Sequence, residues 1–473
     1  MTDPAELTLA DAAQAVRERT LRAEELAEAC LDRIARLNPL LNAFLTVDAA
    51  EVLAAARTAD AEADAGRLRG PLHGVPLAHK DMFYRAGKPC TCGSRIRRDF
   101  RPVRTATVLD RLDAAGALTL GTLHMAEFAM GPTGHNAHVG RCRNPWNPDR
   151  ITGGSSSGSG AAVAARLAFG ALGSDTGGSV RLPAALCGVV GLKPTQGLVP
   201  MGGVMPLSES LDCVGPLARS ARDVATLLAV ITGKTGYEEG IAEGVDGLRL
   251  GIPRSFYYDG LDPAVSAALD EAQRVLERAG ARFVAVDIPD HGAFSDLANL
   301  VFTPEAAALH LPWLRDRPED YGPQVRARLL QGLAVPATAH LQAKQLRALH
   351  LQAMLDGPFA QCDALFVPAT RGRVPTAAET DVEAGPAMAA VVGGIAALTR
   401  PVSYLGLPAL VTPAGFDADG LPIALQLIGR PFAEATLLRI AEAHERATGW
   451  LSRAPQTPAL TVKGAPACRE PTP

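Results

Sequence analysis

A chain of 473 residues with a formal net charge of −4 can hold one large α/β domain or two to three ordinary ones. Its near-neutral balance, with no block of Lys or Arg, excludes a charge-driven nucleic-acid groove, and 47% hydrophobic residues are ample for a large globular core. No apolar run reaches membrane-spanning length, 386–399 being the best, and eight scattered cysteines fit a reduced, cytoplasmic protein better than a disulfide framework.

The first six residues lack the basic flank and apolar core of a secretory signal. Thr8-Leu9-Ala10-Asp11 reads as a capping box that opens a helix. Leu26, Cys30, Ile34 and Leu37 fall on one face of a second helix, which Asn38-Pro39 is expected to stop. The apolar run 72–80, bounded by Gly and Pro, predicts a buried strand. A helix over 108–115 and a strand over 117–123 follow, with Gly116 as the joint. Leu248, Leu250 and Ile252 mark another strand. Asp262-Pro263 then supplies a cap and a first-turn proline for a helix with Val265, Leu269, Ala272 and Leu276 on its buried face. Gly280 ends that helix, and Phe283, Val284, Val286 and Ile288 form the next strand. Such alternation predicts an α/β sandwich whose sheet is buried on both faces. No repeat or long polar linker divides the chain, so one domain over 1–473 is expected. The stretch 294–360 reads as helical, and the Pro-, Thr- and Ala-rich tail 455–473 as poorly ordered.

Two glycine- and serine-rich loops stand out: Gly153-Gly154-Ser155-Ser156-Ser157-Gly158-Ser159-Gly160 and Ser174-Asp175-Thr176-Gly177-Gly178-Ser179. Glycine at this density lets the backbone turn sharply and bring bare N–H groups to a ligand. A serine ending such a loop sets its hydroxyl among amide donors, as a nucleophile beside an oxyanion hole requires. Upstream, Lys80 follows the apolar Val75-Pro76-Leu77-Ala78. One lysine with two glycine-nested serines reads as a serine hydrolase that uses no histidine base. The first loop lacks the Gly-Lys-Ser/Thr ending of a P-loop, and no acidic residue follows at dinucleotide spacing, so no cofactor is expected. Cys90-Thr91-Cys92 lacks further ligands at partner spacing, so no metal is expected either. His79, His135 and His138 come without a His–Asp pattern and read as loop or pocket-wall residues.

Further segments join these in a fixed order: Gly74-Val75-Pro76 running into Lys80-Asp81, Asn144-Pro145-Trp146, Gly191-Leu192-Lys193-Pro194-Thr195, Gly420-Leu421-Pro422 and Gln426-Leu427-Ile428-Gly429. With them the chain resembles the amidase signature hydrolases over nearly its whole length. The resemblance implies an α/β/α sandwich with a large central mixed β-sheet, covered by helices on both faces. Residues 1–70 would be N-terminal helices, 71–230 the catalytic core and 294–360 a helical elaboration near the site. It also implies a Ser-cisSer-Lys triad. Ser179 matches the nucleophile that forms an acyl-enzyme, Ser155 the bridging serine held across a cis peptide bond from Gly154, and Lys80 the base. A free lysine has a pKa of about 10.4; to accept a proton through Ser155 it must be neutral, which apolar burial favours. The N–H groups of Thr176, Gly177, Gly178 and Ser179 would form the oxyanion hole, with Ser156, Asp175 and Arg181 in support.

In the resembling enzymes the position of Leu182 faces the acyl pocket. Met130 and Gly202 belong to segments 130–133 and 202–205, expected to wall that pocket with 303–313 and 386–399. Leucine cannot pair a substrate carboxylate or amide, and burying one unpaired costs about 2 kcal/mol or more. The expectation is therefore an amidase acting alone on a small or medium carboxamide with an apolar acyl or aryl part, an aryl acylamidase with esterase or urethanase side activity. No nucleic acid, membrane or metal takes part, and a homodimer is the assembly considered. The alternative is the glutamine-hydrolysing subunit of a tRNA-dependent amidotransferase. That subunit usually has Gln at the position of Leu182, and again where Cys213 follows Ser210-Leu211-Asp212, so it ranks second.

Overall fold

A computed structural model describes residues 3–456; of the tail expected at 455–473, residues 457–473 lie outside the described residues. Eleven strands join in one sheet: β1 (Phe44–Val47), β2 (Pro76–Lys80), β3 (Leu118–Leu123), β4 (Gly170–Asp175), β5 (Val190–Lys193), β6 (Cys213–Ala218), β7 (Arg249–Pro253), β8 (Arg282–Val286), β9 (Ala364–Pro368), β10 (Ala409–Phe416) and β11 (Pro422–Gly429). Their order across the sheet is β1-β3-β2-β4-β6-β5-β10-β11-β9-β7-β8. Every residue of β2, β4, β5, β6, β9 and β11 is buried. Strands without in–out alternation need cover on both faces. The edge strands β1 and β8 keep exposed positions.

The sheet is mixed. β2 runs parallel to both β3 and β4, β4 to β11 pair antiparallel through β6, β5 and β10, and β9, β7 and β8 are parallel again. Helices Ser157–Ala164 and Arg181–Cys187 touch each other and cover β2, β4, β5, β10 and β11 on one face; Ala221–Thr232, Pro263–Arg278 and Glu434–Thr448 cover the other. The α/β/α sandwich with a large mixed central sheet is therefore present. The stretch 294–360 is helical as read, through His291–Asp316, Pro323–Leu333, Ala337–Asp356 and the start of Pro358–Gln361. Among the described residues no helix is long and apolar enough to cross a membrane.

Two boundaries differ from the sequence reading. The helix Ala23–Leu41 continues through Pro39. Proline there deletes one N–H bond to Ala35, which is exposed, so water can satisfy the freed carbonyl. The exit is then held by Asn38, whose Oδ1 accepts from the N–H groups of Ala43 (2.8 Å) and Phe44 (2.7 Å) while its amide donates to the Phe44 carbonyl (3.0 Å). The strand expected from 72 begins at Pro76, because Gly74 sits at φ +76° and turns the chain. Replacing Asn38 with Ala should cost about 1–2 kcal/mol, the loss of a side chain that caps several backbone groups, read as a lower urea midpoint with an unchanged slope.

Candidate active site

Parallel pairing sets β2 and β4 side by side, so their carboxyl ends bring Lys80 next to Ser174 and Asp175. Open α/β sheets build their sites at such ends. Lys80 is wholly buried; its Nζ lies 2.6 Å from Ser155 Oγ and 2.8 Å from Ser174 Oγ. Burial pulls the ammonium down to about 7, against the opposing pull of the Asp212 and Asp175 charges. The Gly154–Ser155 peptide is cis. Ser156 ties the two loops together: its N–H donates to the Ser179 carbonyl (3.2 Å), its hydroxyl donates to the Ser174 carbonyl (3.3 Å), and the Ser174 N–H donates back to that hydroxyl (3.3 Å). Ser155 and Ser174 are buried, whereas Ser179 is only partly so.

The loop after β4 is shaped from below by Asp175. Its Oδ1 accepts from the Gly178 N–H (2.8 Å) and Arg181 Nη2 (2.9 Å), and its Oδ2 from the Val180 N–H (3.1 Å) and Arg181 Nε (3.0 Å). Burial alone would push this carboxyl up; the Arg181 guanidinium and these donors hold it down at about 2. Arg181 is itself fixed by Gln426 Oε1 and Ser403 Oγ, each at 2.8 Å. Gly178 stands at φ +131°, where a Cβ would strike the Thr399 side chain, and Thr399 Oγ1 donates to the Gly177 carbonyl at 2.6 Å. One expectation changes here. The Gly178 N–H is spent on Asp175, while those of Thr176, Gly177 and Ser179 have no acceptor among the described residues. Thr176 is held instead by its hydroxyl, which donates to Asp212 Oδ1 at 2.5 Å. Burial lifts the Asp212 carboxyl to about 6 despite that bond and those from Leu207 and Ser208.

Ser179 opens into a cleft lined also by Met130 and Leu182. Gly202 is not part of it: it is exposed, and its carbonyl accepts from the Thr107 N–H at 3.0 Å. Its segment pairs instead with residues 82–84, through the Phe83–Val204 bridge. From the helical elaboration the wall takes Ala298 and Phe302, one turn before the expected 303–313. Val392 and Ala396 come from within 386–399. Among the wall residues that were not foreseen are Leu207, Leu211 and two arginines, Arg328 and Arg400. Arg328 lies over the Phe302 ring, 5.4 Å from its centroid, and Arg400 Nη1 donates to Ser295 Oγ at 3.3 Å. Neither has a carboxylate within ion-pair distance among the described residues. Their helices follow the serine loops by well over a hundred residues, and nothing local in the sequence marks them. Ser174 and Asp212 were likewise visible only as motif neighbours.

The remaining candidates stand apart. His79 Nδ1 is 3.2 Å from the Lys80 carbonyl, with its ring against Phe83, and burial lowers it to about 4. His138 pairs with Glu127 (2.8 Å) and His135 with Thr380 (2.9 Å). Cys90 and Cys92 are buried free thiols. Cys213 lies 3.6 Å from Lys193 Nζ and does not line the cleft.

A family model described as amidase matches residues 25–438. The chain belongs to the amidase family. It is 39% identical to a glutamyl-tRNA(Gln) amidotransferase subunit of Chloroflexus aurantiacus, over 96% of this chain and 99% of that protein. Among solved structures, the corresponding amidotransferase subunit of Thermotoga maritima superposes with TM-score 0.79 at 32% identity, covering 94% of this chain and 96% of that one. A 6-aminohexanoate cyclic dimer hydrolase superposes with TM-score 0.87 at 28% identity, over 96% and 99%. Members of this family act on amides, and the chain is an enzyme of that kind. The relatives overturn two expectations: the apolar acyl or aryl amidase, and the enzyme working alone without nucleic acid. The first rested on Leu182 and Cys213, the second on those positions and on the small net charge without a block of Lys or Arg. Leu182 is one wall of a cleft whose other walls carry two guanidiniums, and Cys213 is outside it.

Arg181→Met should destabilise the amidase by about 3–5 kcal/mol, because it strands the buried Asp175 carboxylate. Urea unfolding at pH 7 measures this, and a loss below about 1 kcal/mol would show that Asp175 finds its charge balance elsewhere.

Proposed function

We propose that this amidase is the glutamine-hydrolysing subunit of a tRNA-dependent amidotransferase, acting in the cytoplasm with partner subunits and glutamyl-tRNA. The observation that carries the reading is the pair of guanidiniums, Arg328 and Arg400, lining the cleft into which Ser179 opens. A guanidinium without an acid partner is a ready binder for a carboxylate, and glutamine presents one three methine or methylene carbons from its amide carbonyl carbon. Leu182 would pack against those carbons. The likeness to the Chloroflexus amidotransferase protein over 96% of the chain supports the same assignment.

In this mechanism neutral Lys80 accepts, through Ser155, the proton of Ser179 as its Oγ attacks the amide carbon. The free N–H groups of Thr176, Gly177 and Ser179 stabilise the oxyanion. The proton then passes to the leaving nitrogen, ammonia departs, and water hydrolyses the acyl-enzyme by the same route in reverse. Asp175 and Arg181 hold the loop, and Ser156 holds the two loops in register.

Ser179→Ala should lower kcat for ammonia release from glutamine by about a thousand-fold or more. Because protonated Lys80 cannot act as base, kcat/KM should be low at acid pH, rise through about 7 and level off above. A profile flat from about pH 5 to 9 would remove Lys80 from the role. The assignment itself is tested by glutamine turnover with and without amidotransferase partner subunits charged with glutamyl-tRNA. Stimulation by the partners is expected, and no ammonia from glutamine under either condition would overturn it.

A further inference from the structure

The same cleft carries a charge pattern that goes beyond glutamine. Among the described residues, its wall contains two arginines and no aspartate or glutamate. The two cations sense each other: Arg328 is pulled down to about 10 by burial and by the charge of Arg400. Arg400 is also lowered by burial, with only the exposed Asp296 exerting a counter-pull. Glutamine brings an ammonium on the carbon that bears its carboxylate. In this cleft that ammonium would meet two like charges and no acid, in surroundings where charges are poorly screened. An amide with the carboxylate but without the ammonium would meet attraction alone.

We propose a further activity of this cleft: hydrolysis of ω-monoamides of dicarboxylic acids, with Arg400 as the residue that sets the preference for an ammonium-free carboxylate. The proposal rests on amide attack by Ser179 as described above. In the reaction the Ser179 Oγ–acyl bond forms, the C–N bond breaks and ammonia leaves with the proton taken from the serine. Water then releases the acid, so glutaramate and water yield glutarate and ammonium. Glutaramate is glutamine without its amino group, so the two differ in the charge at issue and in little else. Substituting Arg400 removes one of the repelling cations while the Arg328 guanidinium still holds the carboxylate.

The experiment is ammonia release from glutaramate and from glutamine by the full chain, alone and with partner subunits, for the wild type, Arg400→Met and Arg400→Lys. The wild type is expected to favour glutaramate in kcat/KM by about tenfold, the size of one poorly screened like-charge contact. Arg400→Met should bring the two substrates within about threefold, acting through KM, and Arg400→Lys should keep the preference. Glutamine turned over as well as or better than glutaramate by the wild type overturns this inference and leaves the glutaminase reading intact. So does an unchanged preference in Arg400→Met. Turnover of glutaramate with none of glutamine overturns the glutaminase reading and keeps this one. If Arg400→Met does not fold, the wild-type ratio decides.

Discussion

The Asp175 carboxylate is the point on which the site's geometry hangs. It sits at the last residue of β4, wholly buried, and receives donors from Gly178, Val180 and both ends of the Arg181 guanidinium. Those bonds convert a flexible glycine pair into one fixed turn, and they fix which amides remain free. A carboxylate in so dry a place is tolerable only because a full charge and several N–H groups answer it. Arg181 then carries the constraint outward to Gln426 on β11 and to Ser403. A strand and a helix from the far half of the chain thereby hold a loop from the near half. The long-range register of the sheet and the local shape of the loop are one structure.

Lysine burial alone does not make a base. Among the described residues two lysines are completely buried, Lys80 and Lys193, and burial lowers both. Lys193 spends its amine on the Pro194 carbonyl at 2.9 Å and rests near the Cys213 thiol, a closed environment off the cleft. Lys80 instead meets two hydroxyls, groups that can both give and accept a proton. What separates the two is the partner each strand end supplies. β2 faces the serine loop across its parallel neighbour β4, whereas β5 ends against its own following proline.

Periodicity and punctuation made much of the fold legible. The capped helix at Asp262-Pro263 and the alternation from 248 to 288 needed only local rules. The serine loops and Lys80 were legible because short segments with unusual composition carry them. Pro39 misled because a proline in the last turn of a helix loses one bond that water replaces, and Gly202 because a glycine near the motifs pairs with a neighbouring chain segment instead of facing substrate. Arg328 and Arg400 were illegible for a different reason. Each is an ordinary charged residue within its own helix, and only the tertiary fold turns both toward Ser179.

That blindness explains the error over substrate. A single apolar side chain, Leu182, stood for a whole pocket, yet a cleft's preference is set by the sum of its walls. Leucine lacks a partner for a charge but does not forbid one, because a substrate with an apolar middle and a charged end can lay the first against Leu182 and the second on a guanidinium. Desolvation penalises a charge only where nothing answers it. Here two cations wait unpaired at the wall, and burying them without a counter-charge would itself be costly. The carboxylate of the proposed substrate would answer both cations. Under the proposed function, Leu182 and the two arginines would be complementary halves of one recognition surface, of which only the apolar half lies close to the nucleophile in sequence.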